Sequence, residues 1–418
     1  MDTVAQVIGF IGIIVFLAHL FTGIFSRTKI PDVIFLILIG IFIGPIFGLI
    51  TPDLFGSVGP VFTTITLIII LFESGIALKL RTLRSVLGGA MLLAPLSFFL
   101  TMGVVAGLAI WLLNLDVIPA FILGAIVGST SEAVVIPLVR QLDVEEETET
   151  LLSVESTVND VLSIVITIAL IQAYSNGSFE IGPISAHLAA SFLAALAIGV
   201  AGGFVWSLLL NRIRVIKNAI FTTPAFVFIL FGAVEMLGFS GPITALAFGI
   251  AIGNIERLRI PVFKKHVEAV GLSETERVFF SEVSFLLKTF FFIYMGLSLQ
   301  FISSLYIWVG LLMVVAAFMV RVPAVRLCIR KKLPRRDLNL MTAMVPKGLA
   351  AVVLASIPLQ EGIPGGEMIK NVTYGVIIIS IVLTSILVIM QGRKKKPEEI
   401  EVGGVFDPER KIPPKAKK

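Results

Sequence analysis

The 418-residue chain holds one cysteine, Cys328, and three histidines, His19, His187 and His266. A lone cysteine excludes a disulfide framework and a cysteine metal cluster. The histidines are scattered, and none stands in a polar cluster at the middle of an apolar stretch. Charge is also scarce: Asp, Glu, Lys and Arg make up 15% of the residues, where a soluble domain carries about 25%. With 57% hydrophobic residues and a mean hydropathy of +1.01, a soluble enzyme is excluded and a polytopic membrane protein is expected. No Gly-rich loop ends in Lys-Ser or Lys-Thr, so no nucleotide cofactor is expected. Nucleic acid is not an expected partner either, and membrane lipid is. The first apolar run lacks a basic flank and continues into a second, so no cleaved leader is expected.

What the chain has in quantity is apolar runs of spanning length, roughly 20 residues each. They lie near 5–25, 33–50, 57–78, 86–113, 117–139, 149–173, 184–210, 219–237, 240–254, 276–299, 303–323, 337–358 and 371–391. The reading is an all-α protein of about thirteen transmembrane helices. Basic residues gather on the cytoplasmic side of a membrane protein. With the N-terminus outside and the C-terminus in the cytoplasm, Lys370 alone of the 33 Lys and Arg falls outside. Lys288 and Lys347 fall within spans, and every other basic residue is assigned to a cytoplasmic loop or tail. The basic tail 393–418 is expected to lie near anionic lipid. This topology suits a multi-pass protein of the cell membrane.

The chain also echoes itself. Gly40-Ile-Phe-Ile-Gly44 matches Gly249-Ile-Ala-Ile-Gly253, and Gly75-Ile-Ala-Leu78 matches Gly296-Leu-Ser-Leu299. Ala133-Val-Val-Ile-Pro137 resembles Ala351-Val-Val-Leu, which leads on to Pro358. Each echo lies seven helices on, and an odd offset inverts the second copy in the bilayer. Two inverted six-helix repeats follow, about 5–173 and 219–391, with the seventh helix linking them. Inverted repeats are the architecture of secondary transporters. Gly128 to Glu132 in the fifth helix and Pro346-Lys347-Gly348 in the twelfth release backbone groups at mid-span. Both helices are expected to break there and to cross. Their dipole ends then need compensating charges, which Glu132 and Lys347 can supply.

The sixth helix carries Glu155-Ser-Thr-Val-Asn159-Asp160 where lipid-compatible residues belong. Each charge at mid-span costs roughly 2.5–3.5 kcal/mol on insertion scales. Glu155 with Asn159 and Ser156 with Asp160 are i,i+4 pairs, so the four form one polar stripe. Asp160, Lys347, Lys288 and Thr130 all fall near mid-depth, with Glu155 and Glu73 nearer the cytoplasmic end. A hard monovalent cation needs oxygen ligands. Asp160 offers a carboxylate, Ser156 and Thr130 offer hydroxyls, and the unwound backbone near Thr130 offers carbonyls. One carboxylate that holds either a cation or a proton couples the two fluxes by competition. Glu155 is expected to pair with a lysine, Lys347 or Lys288, and Asn159 to tie down the broken fifth helix. No arginine is expected at mid-depth.

At these residues the chain resembles the monovalent cation/proton antiporters of the NhaP type. Glu155-Ser-x-x-Asn159-Asp160 is similar to that family's sixth-helix signature. Ile30-Pro31-Asp32, Phe72-Glu73-x-Gly75 and a basic residue before a glycine in the twelfth helix support it. The resemblance covers roughly 5–392. It implies a six-helix core moving against a dimerisation domain, hence a homodimer and not an enzyme. It implies Na+ or Li+, with K+ as the alternative, exchanged for H+. Asp160 would be the shared site, with Ser156, Glu155 and Thr130 around the ion. Asn159, Lys347, Ser131, Glu132, Glu73 and Lys288 would support it. A single titrating carboxylate implies electroneutral, one-for-one exchange.

The chain departs from the family pattern twice. Thr130-Ser131-Glu132 stands where the fifth helix usually has Thr-Asp-Pro. The acidic group is thus displaced by one position, about 100° around a helix. Lys347 stands where the twelfth helix usually has Arg, and a buried lysine can lose its proton where arginine cannot.

Overall fold

The computed structural model describes residues 9–391 except 10, 11, 22, 24–31, 50–57, 79, 81–89, 132, 133, 136, 137, 140, 141, 143, 176–180, 217, 218, 256–270, 300–303 and 330–332. Glu132 and the basic tail lie outside the described residues. The described residues are essentially all helical. The helices are α1 (Gly12–Phe21), α2 (Asp32–Ile41), α3 (Val58–Ala77), α4 (Ala90–Leu113), α5 (Val117–Gly128), α6 (Glu146–Ser175) and α7 (Ile181–Ile213). They continue with α8 (Thr222–Met236), α9 (Gly241–Gly253), α10 (Glu274–Leu297), α11 (Ser304–Cys328), α12 (Arg335–Ala343), α13 (Leu349–Gln360) and α14 (Gly366–Gln391). Each overlaps an apolar stretch of the sequence. Six of them, α4, α6, α7, α10, α11 and α14, contain segments long and apolar enough to cross a membrane. The chain is a multi-pass membrane protein.

Local chemistry sets several of the ends. Ser273 and Glu276 form a reciprocal capping box at the start of α10, which satisfies backbone N–H groups that no helical turn reaches. The acidic run Glu145 to Glu149 leads into α6, where negative charge complements the helix dipole. Pro45 sits in a π-helical turn, Phe42–Ile46, that continues α2. The proline cannot donate in the ladder, and the wider turn accommodates it.

The helices fall into two sets by their contacts. In one, α4 packs on α5, α6 and α11, while α14 packs on α11 and α13. In the other, α9 packs on α3, α7 and α8, while α2 packs on α10. The sets meet where α13 touches α3 and α10, where α14 touches α2, and where α6 touches α7.

The echoing glycines lie in the seams of the second set. A methyl group on Gly40 of α2 would come within 2.2 Å of the Ile293 carbonyl on α10, and one on Gly296 within 2.3 Å of the Ile37 carbonyl on α2. Likewise Gly75 of α3 lies against the Leu246 carbonyl of α9, and Gly249 of α9 against the Phe72 carbonyl of α3. Backbone touches backbone in both seams, an approach that only glycine permits and that helices in lipid exploit. Matching α2 with α9 and α3 with α10 turns one seam into the other.

Candidate functional site

The site is built where two helices break. α5 ends at Gly128, its cap Ser129 is extended (φ −72, ψ 161), and residues 129–131 are not helical. Val134 and Val135 are helical again. α12 ends at Ala343, residues 344–348 are not helical, and α13 begins at Leu349. The unwound strands hold each other: Ser131 N–H donates to the Pro346 carbonyl at 2.7 Å. Gly348 permits the crossing, because a Cβ there would lie 1.9 Å from Ser131 Oγ. Ser380 of α14 braces it, its Oγ accepting from Lys347 N–H at 3.0 Å.

Lys347 is fully buried, and its Nζ donates to the Ser129 carbonyl at 2.7 Å. That carbonyl stands at the C-terminal end of α5, where the helix dipole is negative. The ammonium therefore neutralises the broken end of the fifth span. Arg321, Glu155 and Asp160 lie within its electrostatic reach.

The polar stripe of α6 faces this crossing. Asn159 is buried, and its Nδ2 donates to Thr130 Oγ1 at 3.2 Å and to Glu155 Oε1 at 3.3 Å. The amide thus joins the unwound strand to α6. One turn further, Ser163 Oγ donates to the Ala125 carbonyl of α5 at 2.8 Å. Ser156 and Thr157 turn back on their own helix, donating to the Ser153 carbonyl at 3.2 and 2.9 Å. Asp160 is half-buried, midway along this 30-residue helix. Buried acceptor capacity remains at the crossing and on the stripe: Ser129 Oγ and Asn159 Oδ1 have no hydrogen-bond partner among the described residues.

The partner of Glu155 corrects the sequence reading twice. It is an arginine, Arg321 of α11, and not Lys347 or Lys288. Arg321 Nη2 donates to Glu155 Oε2 at 2.6 Å, and Nη1 donates to Oε1. Arg321 also donates from Nε to the Met341 carbonyl at 3.0 Å and from Nη1 to Ser97 Oγ at 3.3 Å. One side chain so joins α11, α6, α12 and α4, with 1–2% of either partner exposed. A planar guanidinium suits this bidentate, multiply bonded role, and an ammonium does not. The sequence reading placed Arg321 on the cytoplasmic rim because it closed that span at 323. The helix runs on to Cys328, which sets Arg321 two turns inside its end. The available signal was the apolar stretch Val322-Pro-Ala-Val325 beyond the arginine, followed after Arg326 by Leu327 and Cys328.

Glu73 and Lys288 pair elsewhere. Lys288 Nζ of α10 donates to Glu73 Oε2 of α3 at 3.0 Å, in the second helix set.

The family described as "Sodium/hydrogen exchanger, transmembrane" matches residues 12–390. The chain belongs to the sodium/hydrogen exchanger family. Among curated relatives, the "K(+)/H(+) antiporter NhaP2" of Shewanella sp. (strain MR-4) is 25% identical over 391 residues, covering 91% of this chain. The chain spans 65% of that relative's length. The "Na(+)/H(+) antiporter 1" of Methanocaldococcus jannaschii is 26% identical over 310 residues, covering 69% of this chain and 67% of the relative. A solved structure of the sodium proton antiporter MjNhaP1 from the same organism superposes with a TM-score of 0.70 at 22% identity. That match covers 91% of this chain and 99% of the other, and it shows that the exchanger shares this helical fold.

Proposed function

We propose that this exchanger is a secondary antiporter that trades a monovalent cation for H+ by alternating access, without nucleotide or cofactor. Asp160 is the residue that holds either ion. The observation that carries this reading is the charge arrangement at the crossing. Glu155 is spent on Arg321, and Lys347 neutralises the end of α5. Asp160 is the half-buried carboxylate of the α6 stripe beside them. Thr130 and Ser156 supply hydroxyl oxygens near it, and Ser129 to Ser131 supply unwound backbone. One titrating carboxylate makes the exchange electroneutral, one cation for one proton. The cation is Na+ or Li+, with K+ as the alternative.

The architecture proposed is thirteen spans in two inverted six-helix repeats. It is supported by the two glycine seams that the repeat exchanges, and by the crossing strands that it maps onto each other. Lys347 and the Ser129 carbonyl that it bonds are 218 residues apart, the same offset that relates Ala133 to Ala351. A bond between positions that the repeat makes equivalent supports a repeat axis passing near them. A homodimer in the cell membrane, with the N-terminus outside and the tail 393–418 on the cytoplasmic leaflet, completes the proposal.

The test is a pH-gradient assay in proteoliposomes with Li+, Na+ and K+, with and without a valinomycin clamp. Asp160→Asn is expected to abolish cation-driven dissipation, and the clamp is expected to leave the wild-type rate unchanged. Exchange surviving in Asp160→Asn would remove Asp160 as the carrier.

A further inference from the structure

Asp337 stands in the first turn of α12 and is 3% exposed. Its Oδ2 accepts from Thr148 Oγ1 at 2.8 Å and from the Glu145 N–H at 3.1 Å. Both donors belong to the start of α6, where N–H groups have no partner within the helix. One carboxylate thus lies at the N-terminal ends of two helices, where negative charge is favoured. Thr148 is itself fully buried, so the bond is made away from solvent.

This joint is the first tie in a line. Thr148, Glu155, Asn159 and Ser163 recur at intervals of seven, four and four residues, which places them within about 80° of one another on α6. Each is at most 1% exposed. Each bonds a different segment: α12, α11, the unwound strand at Thr130, and α5. The line is about 22 Å long at 1.5 Å per residue. Asp160 stands about 100° round the helix from Asn159, so any turn of α6 about its axis moves it relative to the crossing. α12 is held at both ends. Asp337 joins its start to α6, and the Met341 carbonyl near its end takes Arg321 Nε, whose guanidinium also binds Glu155. α12 leads into the unwound residues 344–348, where Lys347 lies within electrostatic reach of Asp160.

We propose that Asp337 is a positioning residue for the cation: it fixes α12 against α6 at their N-terminal ends and so sets the height at which the unwound strand meets Asp160. The inference rests on the antiport reading above. α12 has nine residues, so a shift at its start is carried to its end with little bending. Without the joint, α12 pivots about the Arg321 bond, and the oxygens offered to the ion no longer converge. The bond, and not the charge, is the controlling quantity, because an amide oxygen in the same place accepts from the same donors.

The test measures KM and kcat for Na+ and K+ in proteoliposomes carrying the full chain, with thermal denaturation in detergent beside them. Asp337→Ala is expected to raise KM about 3–10-fold, more than kcat falls. Asp337→Asn, which keeps an acceptor oxygen, is expected to hold KM within about 2-fold of wild type. Asp337→Ala/Thr148→Val is expected to match Asp337→Ala, because Thr148 has already lost its acceptor. Ser273→Ala supplies the comparison, since it deletes the capping bond of α10 in the other helix set. It is expected to lower the denaturation temperature and to leave KM at the wild-type value. A wild-type KM in Asp337→Ala, whatever its stability, makes Asp337 a structural cap and overturns the proposal. A KM in Asp337→Asn as high as in Asp337→Ala overturns it too. Should Asp337→Ala fail to accumulate in membranes, Thr148→Val and Thr148→Ser decide. A raised KM in Thr148→Val that Thr148→Ser does not share supports the joint, and any other pattern overturns it. Absence of any Asp160-dependent exchange in wild type would instead defeat the antiport reading, and it is scored separately in the same vesicles.

Discussion

The two buried-helix ion pairs differ in how far water reaches them. Glu155 and Arg321 are 1–2% exposed and spend their polar atoms on each other, on Asn159, on Ser97 and on the Met341 carbonyl. Glu73 and Lys288 keep more than a quarter of their side chains open. The closed pair is a fastening. Removing one partner strands a charge where nothing else can solvate it, so it tolerates no single change. The open pair keeps part of its surface outside the protein interior, so its energy is smaller. The crossing set of helices therefore invests its fixed charges in geometry, and the glycine-seamed set holds a more open charge pair.

The comparison breaks first at Arg321. Arg321→Met strands Glu155 and is expected to cost about 3–5 kcal/mol, read as a fall in thermal denaturation temperature in detergent. Glu155→Gln/Arg321→Met is expected to recover most of that loss, because a neutral pair of similar volume leaves no stranded charge. Lys288→Met, by contrast, is expected to change stability by at most about 1 kcal/mol. Equal losses at the two sites would show that exposure does not separate them.

Gly348→Ala probes the crossing without touching a charge. Its Cβ would sit 1.9 Å from Ser131 Oγ and 2.4 Å from Ser131 Cβ, so one unwound strand must move. A cost of about 1–3 kcal/mol is expected, with loss of exchange larger than loss of folded protein. Gly348→Ala/Ser131→Gly is expected to restore part of both in a double-mutant cycle.

Ser163→Ala is the mildest change. It deletes one hydrogen bond between α6 and α5 and is expected to cost about 0.6 kcal/mol, the average for such bonds between membrane helices. A loss several times larger would mean that the α5–α6 contact is part of the fastening around Glu155.

Much of this was legible in the residues. Gly128 and the Pro346-Lys347-Gly348 run marked the breaks in the fifth and twelfth stretches, because glycine and proline interrupt a helix wherever they fall. The i,i+4 spacing of Glu155, Ser156, Asn159 and Asp160 put them on one face for reasons of helical period alone. The glycine echoes were also visible, though their meaning was not. The sequence pairs Gly40 with Gly249 as equivalents, while the structure sets Gly40 against Gly296 as neighbours. Arg321 was misplaced because its span was closed at Pro323, and a proline does not end a helix when other helices supply the missing bonds.

Composition and periodicity alone determined that this is a bundle of apolar helices, that two of them break, and that one carries a polar stripe at mid-depth. Those are local properties, set by hydropathy, by 3.6-residue periodicity and by which residues release a backbone. The tertiary structure decided which charge meets which. Arg321 reaches Glu155 across 166 residues, Lys288 reaches Glu73 across 215, and Lys347 takes a backbone carbonyl and not a carboxylate. Partner choice depends on which helices pack together and at what rotation. Distance in the chain carries no information about that once the helices are folded against one another.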